Sequence, residues 1–202
     1  MRIALPVVCA AVAAAWLAWA RVGPRQTWLI SPVLVILLSL SVAVNEWRWW
    51  AYETELQRAA APVLGQVEAR FGCERVARHF FSSSGHVGHV YFDADGKPAD
   101  WAFLSMSTCS RLKDFRRDPG TDDLQQIVAA HTLAHEAAHL TGIRNEAQAE
   151  CRALAADEAV MVNLGATPQQ AADAVSRYRA EVLPRLPSQY RGSCTQETTA
   201  TR

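Results

Sequence analysis

The sequence predicts an α+β protein: N-terminal hydrophobic segments, read as transmembrane helices, precede a small β-hairpin or sheet and a mostly helical domain. Three observations carry that expectation. The first 50 residues hold two long uncharged stretches. The middle holds two aromatic and β-branched runs around an Asp-Gly turn. Beyond residue 120, apolar residues recur at helical spacing between capping residues and glycines.

Residues 3–20, IALPVVCAAVAAAWLAWA, and 28–45, WLISPVLVILLSLSVAVN, carry no charge. Each approaches the about 20 residues a helix needs to cross a bilayer core. Trp28 precedes the second stretch and Trp47, Trp49 and Trp50 follow it, as suits indoles at a membrane interface. Pro6 and Pro32 lie near the segment starts, where a missing amide donor matters little. Arg21 and Arg25 in the link favour a two-helix hairpin with a cytoplasmic turn and both ends outside. The alternative is a secretory signal in the first stretch, with Ala18-Trp19-Ala20 as its small-residue cleavage site. The expected partition is 1–50 for the two membrane segments and 51–72 for a juxtamembrane helix or linker interrupted by Pro62 and Gly65. Residues 73–202 follow as one domain, a length suited to a single core.

The 20 basic and 20 acidic residues cancel, so nothing in the charge balance favours nucleic acid as a partner. Cys73, Cys109, Cys151 and Cys194 fall in the domain and Cys9 in the first apolar stretch. An even set of four suggests two disulfides and an extracytoplasmic domain; the alternative is four free buried thiols in a reducing compartment. Four cysteines allow three connectivities, and sequence does not choose among them.

HVGHVYFD, 86–93, and DWAFLSMS, 100–107, flank the turn signal Asp95-Gly96-Lys97-Pro98 and form the expected hairpin. His86 and His89 differ in strand parity and should face opposite sides. The first helix of the C-terminal part is expected after a capping box of Asp122 with Gln125, with Leu124, Ile127, Val128, Leu133 and Leu140 along one broad face and Gly142 as its stop. Asn145 with Gln148 opens a second helix that runs to about Leu164, where Gly165 closes it. Pro168 starts a third, which ends near Leu183 before Pro184 and Pro187.

The chemistry concentrates in HEAAH, residues 135–139. His135 and His139 project from one helix face a turn apart, so both imidazoles can reach one ion. Glu136 lies on the adjoining edge, where a carboxylate can act as general base. A catalytic zinc takes three protein ligands. Glu146 and Glu150 share one face of the next helix, and a carboxylate at a helix N-terminus is held ionised. His131, one turn before His135, is either a group supporting the ligands or a substrate contact, or else an exposed helix histidine. Tyr178 and Tyr190 offer hydroxyls for oxyanion stabilisation, but half-buried structural tyrosines explain them equally well, and neither is assigned a catalytic role.

With His135, Glu136 and His139 matching HExxH, the sequence resembles the zincin metallopeptidases. Similarity to the gluzincin branch, of the thermolysin type, implies Glu146 as third ligand and Glu150 as hydrogen-bond partner of a ligand histidine; Glu150 as the ligand stays open. Only six residues separate His139 from Glu146, a departure from thermolysin. That spacing resembles the metzincin HExxHxxGxxH, with Gly142 at the glycine and Asn145, a poor zinc ligand, at the third-ligand position. The stretch HEAAHLTGIRNEAQAEC, 135–151, together with LPRLPSQYRGSC, 183–194, also resembles uncharacterised membrane-associated or secreted HExxH proteins of high-GC bacteria. That resemblance implies a bacterial cell-membrane location and pairing of Cys151 with Cys194 and Cys73 with Cys109.

The expected function is a membrane-anchored metallopeptidase that binds Zn2+, hydrolyses a peptide or protein substrate by a metal-activated water and uses Glu136 as general base. The rival is a non-enzymatic cell-envelope protein with a structural or vestigial zinc site. An intramembrane protease is disfavoured, because the motif lies about 90 residues beyond the second apolar stretch on a helix with polar residues unsuited to lipid.

Overall fold

A computed structural model of the chain describes residues 30–74, 87–119, 123–192 and 194, with side chains from residue 36 onward. It divides into two units, Met1–Tyr52 and Glu53–Arg202. The fold is α+β and mostly helical, with one small three-stranded sheet.

The apolar stretch 3–20 lies outside the described residues. The second stretch enters helix α1, Ile30–Ala59, and here the membrane expectation is corrected: among the described residues no helix is long and apolar enough to cross a membrane. The physical reason is the placement of charge. Glu46, Arg48, Glu53, Glu55 and Arg58 all fall in the second half of α1. Within α1 the uncharged run therefore ends at Asn45. Ile36, Leu37, Leu38, Leu40, Val44, Trp47 and Trp50 are exposed on it.

In the second unit, the segment expected as a juxtamembrane helix or linker contributes to the core. Leu56, Ala59 and Ala60 are buried, as are Val63 and Leu64 of the short helix α2, Ala61–Leu64. Gly65, at φ 60°, turns the chain away toward the sheet, a backbone state that suits glycine. Strand β1, Arg70–Cys73, was not anticipated: with four residues it is too short to show a period.

Strands β2, Gly88–Phe92, and β3, Pro98–Leu104, form the expected hairpin, antiparallel with an irregularity between Val90 and Phe92. Asp93 accepts from the amides of Asp95 and Lys97 and so holds the turn, with Gly96 at φ 80°. The order is β1-β3-β2, with β1 parallel to β3. The hairpin's second run ends earlier than its composition suggests. Ser105 caps helix α3, Met106–Arg117, by accepting from the Thr108 amide, so its last residues are helical. The disulfide Cys73–Cys109 ties the end of β1 to α3.

Helix α4, Leu124–Leu140, is capped by Asp123, whose side chain accepts from the Gln125 amide. The cap thus falls one residue after Asp122, which lies outside the described residues. The expectation of one apolar face was too narrow, since every residue from Ala129 to Leu140 is buried. This is the central helix of the unit. Ala130, Ala134, Ala137 and Ala138 on α4, and Ala149 and Ala153 on the next helix, are small enough to let neighbours approach on all sides.

Gly142, at φ 97°, closes α4. Asn145 then caps α5, Glu146–Asn163, by accepting from the Gln148 amide. Thr167 and Gln170 form a full capping box for α6, Pro168–Glu181. Two single-turn 3-10 helices, Leu183–Arg185 and Ser188–Tyr190, lead to Cys194, which is disulfide-bonded to Cys151 of α5.

Candidate metal centre

Helices α4 and α5 run antiparallel, and the site grows from that pairing. His131, His135 and His139 recur every four residues on α4, while Glu146, Glu150 and Asp157 occupy the facing side of α5. Each histidine consequently meets a carboxylate, except that the last two share Glu146. Five of these six side chains are buried, and Glu146 is half-buried.

At the open end, His135 Nε2 lies 3.0 Å from Glu146 Oε2 and 3.1 Å from His139 Nε2, and His139 Nε2 lies 3.3 Å from the same carboxylate oxygen. The other nitrogens settle the tautomers. His139 Nδ1 is 2.6 Å from the Ile143 carbonyl, which only accepts, so Nδ1 carries the proton. His135 Nδ1 is 3.3 Å from Glu150 Oε2 and donates to it in the same way. In neutral imidazoles, both Nε2 atoms then present bare lone pairs toward each other and toward a carboxylate oxygen. Atoms this close need a positive charge among them, supplied by a proton on His135 Nε2 in metal-free protein or by a metal ion in its place. Ligand atoms at about 2.0–2.1 Å from a tetrahedral zinc stand roughly 3.3 Å apart, so the triangle fits such an ion.

Glu136 lies beside this triangle and is itself buried, with Oε2 lacking any hydrogen-bond partner among the described residues. Burial pushes its carboxyl up to about 7, with the His135 charge opposing and Glu146 reinforcing. Its space is made by Gly88 at the start of β2: a Cβ there would stand 2.7 Å from Glu136 Cγ and Oε1. At the other end of β2, the Phe92 ring meets His139 edge-on at 6.2 Å. Strand β2 thus passes over the motif from Glu136 to His139.

Behind the triangle the arrangement is closed. Glu150 Oε2 accepts from His131 Nε2 at 2.9 Å as well as from His135, and its Oε1 accepts from the Tyr178 hydroxyl at 3.0 Å. His131 Nδ1 is 2.8 Å from Asp157 Oδ2, and Tyr178 stacks on the His131 ring at 4.0 Å. With a carboxylate on each nitrogen, His131 donates from both and is an imidazolium. Burial disfavours that charge, but Asp157 and Glu150 outweigh it and raise the His131 pKa to about 10. Burial likewise favours a neutral Glu150, yet the bonds from His131 and His135 hold it down at about 2. The hydrogen bond from His135 lowers the Glu146 pKa against its burial. For His135 itself, burial is outweighed by Glu146, Glu150 and Glu136, which raise it to about 9.

A second group, His131, His135 and Glu150, also brings ligand atoms within 4.8 Å of one another. It is a poorer cation site, because every nitrogen facing Glu150 already donates a proton to it.

The chain's two other tyrosine candidates separate cleanly. Tyr178 is buried against Glu150, whereas Tyr190 sits at the opening with its ring 5.8 Å from that of His135. Burial and the Glu146 charge raise the Tyr190 pKa. His131 is buried, not exposed. His86 lies outside the described residues, and His89 packs against Tyr91 and Phe103, away from the ligand triangle. Both disulfides join the cysteine pairs that the resemblance implied.

Sequence reasoning missed Asp157 and Gly88. Asp157 had a signal, since it stands seven residues after Glu150 on the same helix face. Gly88 had none, because its role comes from a contact across 48 positions. An open groove lined by Leu154, Glu158, Val162, Pro168 and Arg179 lies on another face of α5 and includes none of the residues above. In comparisons with protein-family models, curated proteins and solved structures, nothing matches this chain.

Proposed function

We propose that the chain is a zinc-dependent metallopeptidase with His135, His139 and Glu146 as metal ligands and Glu136 as general base. The observation that carries this reading is the convergence of three potential ligand atoms, two imidazole nitrogens and one carboxylate oxygen, at 3.0–3.3 Å beside a buried carboxylate with an oxygen that has no hydrogen-bond partner among the described residues. Two imidazoles and one carboxylate are a donor set suited to zinc, and softer or harder ions would prefer thiolates or all-oxygen cages. Zinc held there supplies a Lewis acid that polarises a carbonyl and acidifies water.

The protein's own residues do the rest. Glu136, with a pKa near neutrality, accepts a proton from the water that attacks the peptide carbonyl and delivers it to the departing amine. Glu150 accepts from the Nδ1–H of His135, which keeps that proton on Nδ1 and leaves Nε2 to face the metal. Its own remaining lone pairs are committed to His131 and Tyr178, which supports Glu146 over Glu150 as the third ligand. The two disulfides support an oxidising, extracytoplasmic compartment.

Glu136→Gln tests the reading. The variant should retain zinc while peptide hydrolysis falls by about 10²–10⁴-fold. Unchanged turnover in a zinc-replete variant overturns the mechanism, and failure of the wild-type chain to retain zinc after gel filtration overturns the site.

A further inference from the structure

Arg144 occupies the turn between α4 and α5, two residues before the ligand Glu146 and directly after Ile143, whose carbonyl holds the ligand His139 at 2.6 Å. Its backbone is thus tied to the metal-binding triangle. The side chain reaches back over the Phe92 ring, with the guanidinium carbon 5.5 Å from the ring centroid, and Phe92 itself meets the His139 ring edge-on at 6.2 Å. On its other flank the guanidinium rests on the β2–β3 turn, where a Cβ at Gly96 would come within 2.9 Å of it. Phe92 and Gly96 together hold the planar group at the rim of the site.

Among the described residues, Arg144 has no carboxylate within ion-pair distance. Asp93, in the adjoining turn, accepts from the amides of Asp95 and Lys97 through Oδ1. A guanidinium stacked on an aromatic face keeps its in-plane N–H groups available, and their fork geometry matches a carboxylate. Resting on the metallopeptidase reading above, we propose that Arg144 selects peptide substrates that carry a carboxylate about two or three residues from the scissile bond, on the His139 side of the site.

A carboxylate of this kind belongs either to an acidic side chain or to a free C-terminus. The test uses the zinc-loaded Glu136→Gln chain, with and without Arg144→Gln, and peptides matched in all but one group. One pair differs by Glu against Gln at the positions flanking the bond, and another by a free against an amidated C-terminus. Fluorescence anisotropy reads affinity, and the wild-type chain is assayed for cleavage of the same peptides. With Arg144 intact, the carboxylate-bearing member of one pair should bind about fivefold more tightly. Arg144→Gln should reduce that ratio to near one, and Arg144→Glu should invert it; the pair that responds identifies the source of the carboxylate. Equal ratios with and without Arg144, or no binding of any peptide, overturn the proposal. Charge-selective binding that depends on Arg144, with no cleavage by the wild type, instead overturns the peptidase reading and leaves the recognition site standing.

Discussion

Helices α4 and α5 hold two clusters of the same residue types one turn apart, and the two are built to opposite ends. At the mouth, His135, His139 and Glu146 point three potential ligand atoms at one another. One turn deeper, the His131 ring lies between Glu150 and Asp157, each nitrogen donating to its own carboxylate, with Tyr178 satisfying the remaining Glu150 oxygen. The first cluster converges on a point that a cation could occupy. The second carries its own cation, the imidazolium. Geometry separates the two: histidines that share a carboxylate could hold an ion, and a histidine flanked by two carboxylates makes a closed ion-paired support.

The largest effect should come from removing a ligand at the mouth. His139→Ala should lose zinc outright, with affinity falling by more than the about 100-fold that changes behind a metal site produce. Metal content after gel filtration checks it, and stoichiometric zinc in that variant would erase the contrast between the clusters. Next comes the deeper cluster. His131→Leu leaves two buried carboxylates facing apolar surface and should destabilise the domain by about 3–5 kcal/mol, read by denaturant titration. Replacing both His131 and Asp157 by leucine should recover part of that loss; a double variant whose loss equals the sum of the two single losses would mean the pair is not a unit.

The pH response sharpens the same contrast. His131 has a folded pKa of about 10 against 6.5 unperturbed, so its contribution to stability is complete below pH 6.5 and fades as pH rises through about 10. In metal-free protein His135 adds to this fall, its pKa being about 9. The difference between wild type and His131→Gln across that window isolates His131, and parallel stability curves would reject its charged state. Smallest is Tyr178→Phe, which deletes one donor to Glu150. It should cost about 1–1.5 kcal/mol, with zinc retained.

Much of this was legible in the chain. HEAAH, the Asn145 cap, Pro168 at a helix start, and the glycines at 142 and 165 mark helices by local rules, and those helices form where expected. The hairpin was legible for the same reason, because Asp93 and Gly96 organise a turn within a few residues. Readings that depended on distant packing fared less well. Residues 56–64 are ordinary in composition, yet Arg152 donates to the Val63 carbonyl and Asn163 to that of Ala59, drawing this stretch into the core. The apolar stretch 28–45 suggested a membrane span because composition is scored without regard to where the helix continues, and α1 continues into charge.

Residue types and their spacing along single helices were enough to place His135, Glu136 and His139 on one helix and Glu146 and Glu150 on the next. Those features repeat within one or two turns, where backbone geometry alone dictates which side chains meet. Which carboxylate faces the cation, which supports a histidine, and why residue 88 must be glycine were decided by tertiary packing. Those outcomes depend on the register between two antiparallel helices and on a strand crossing above them, and neither is encoded by any local stretch of the chain.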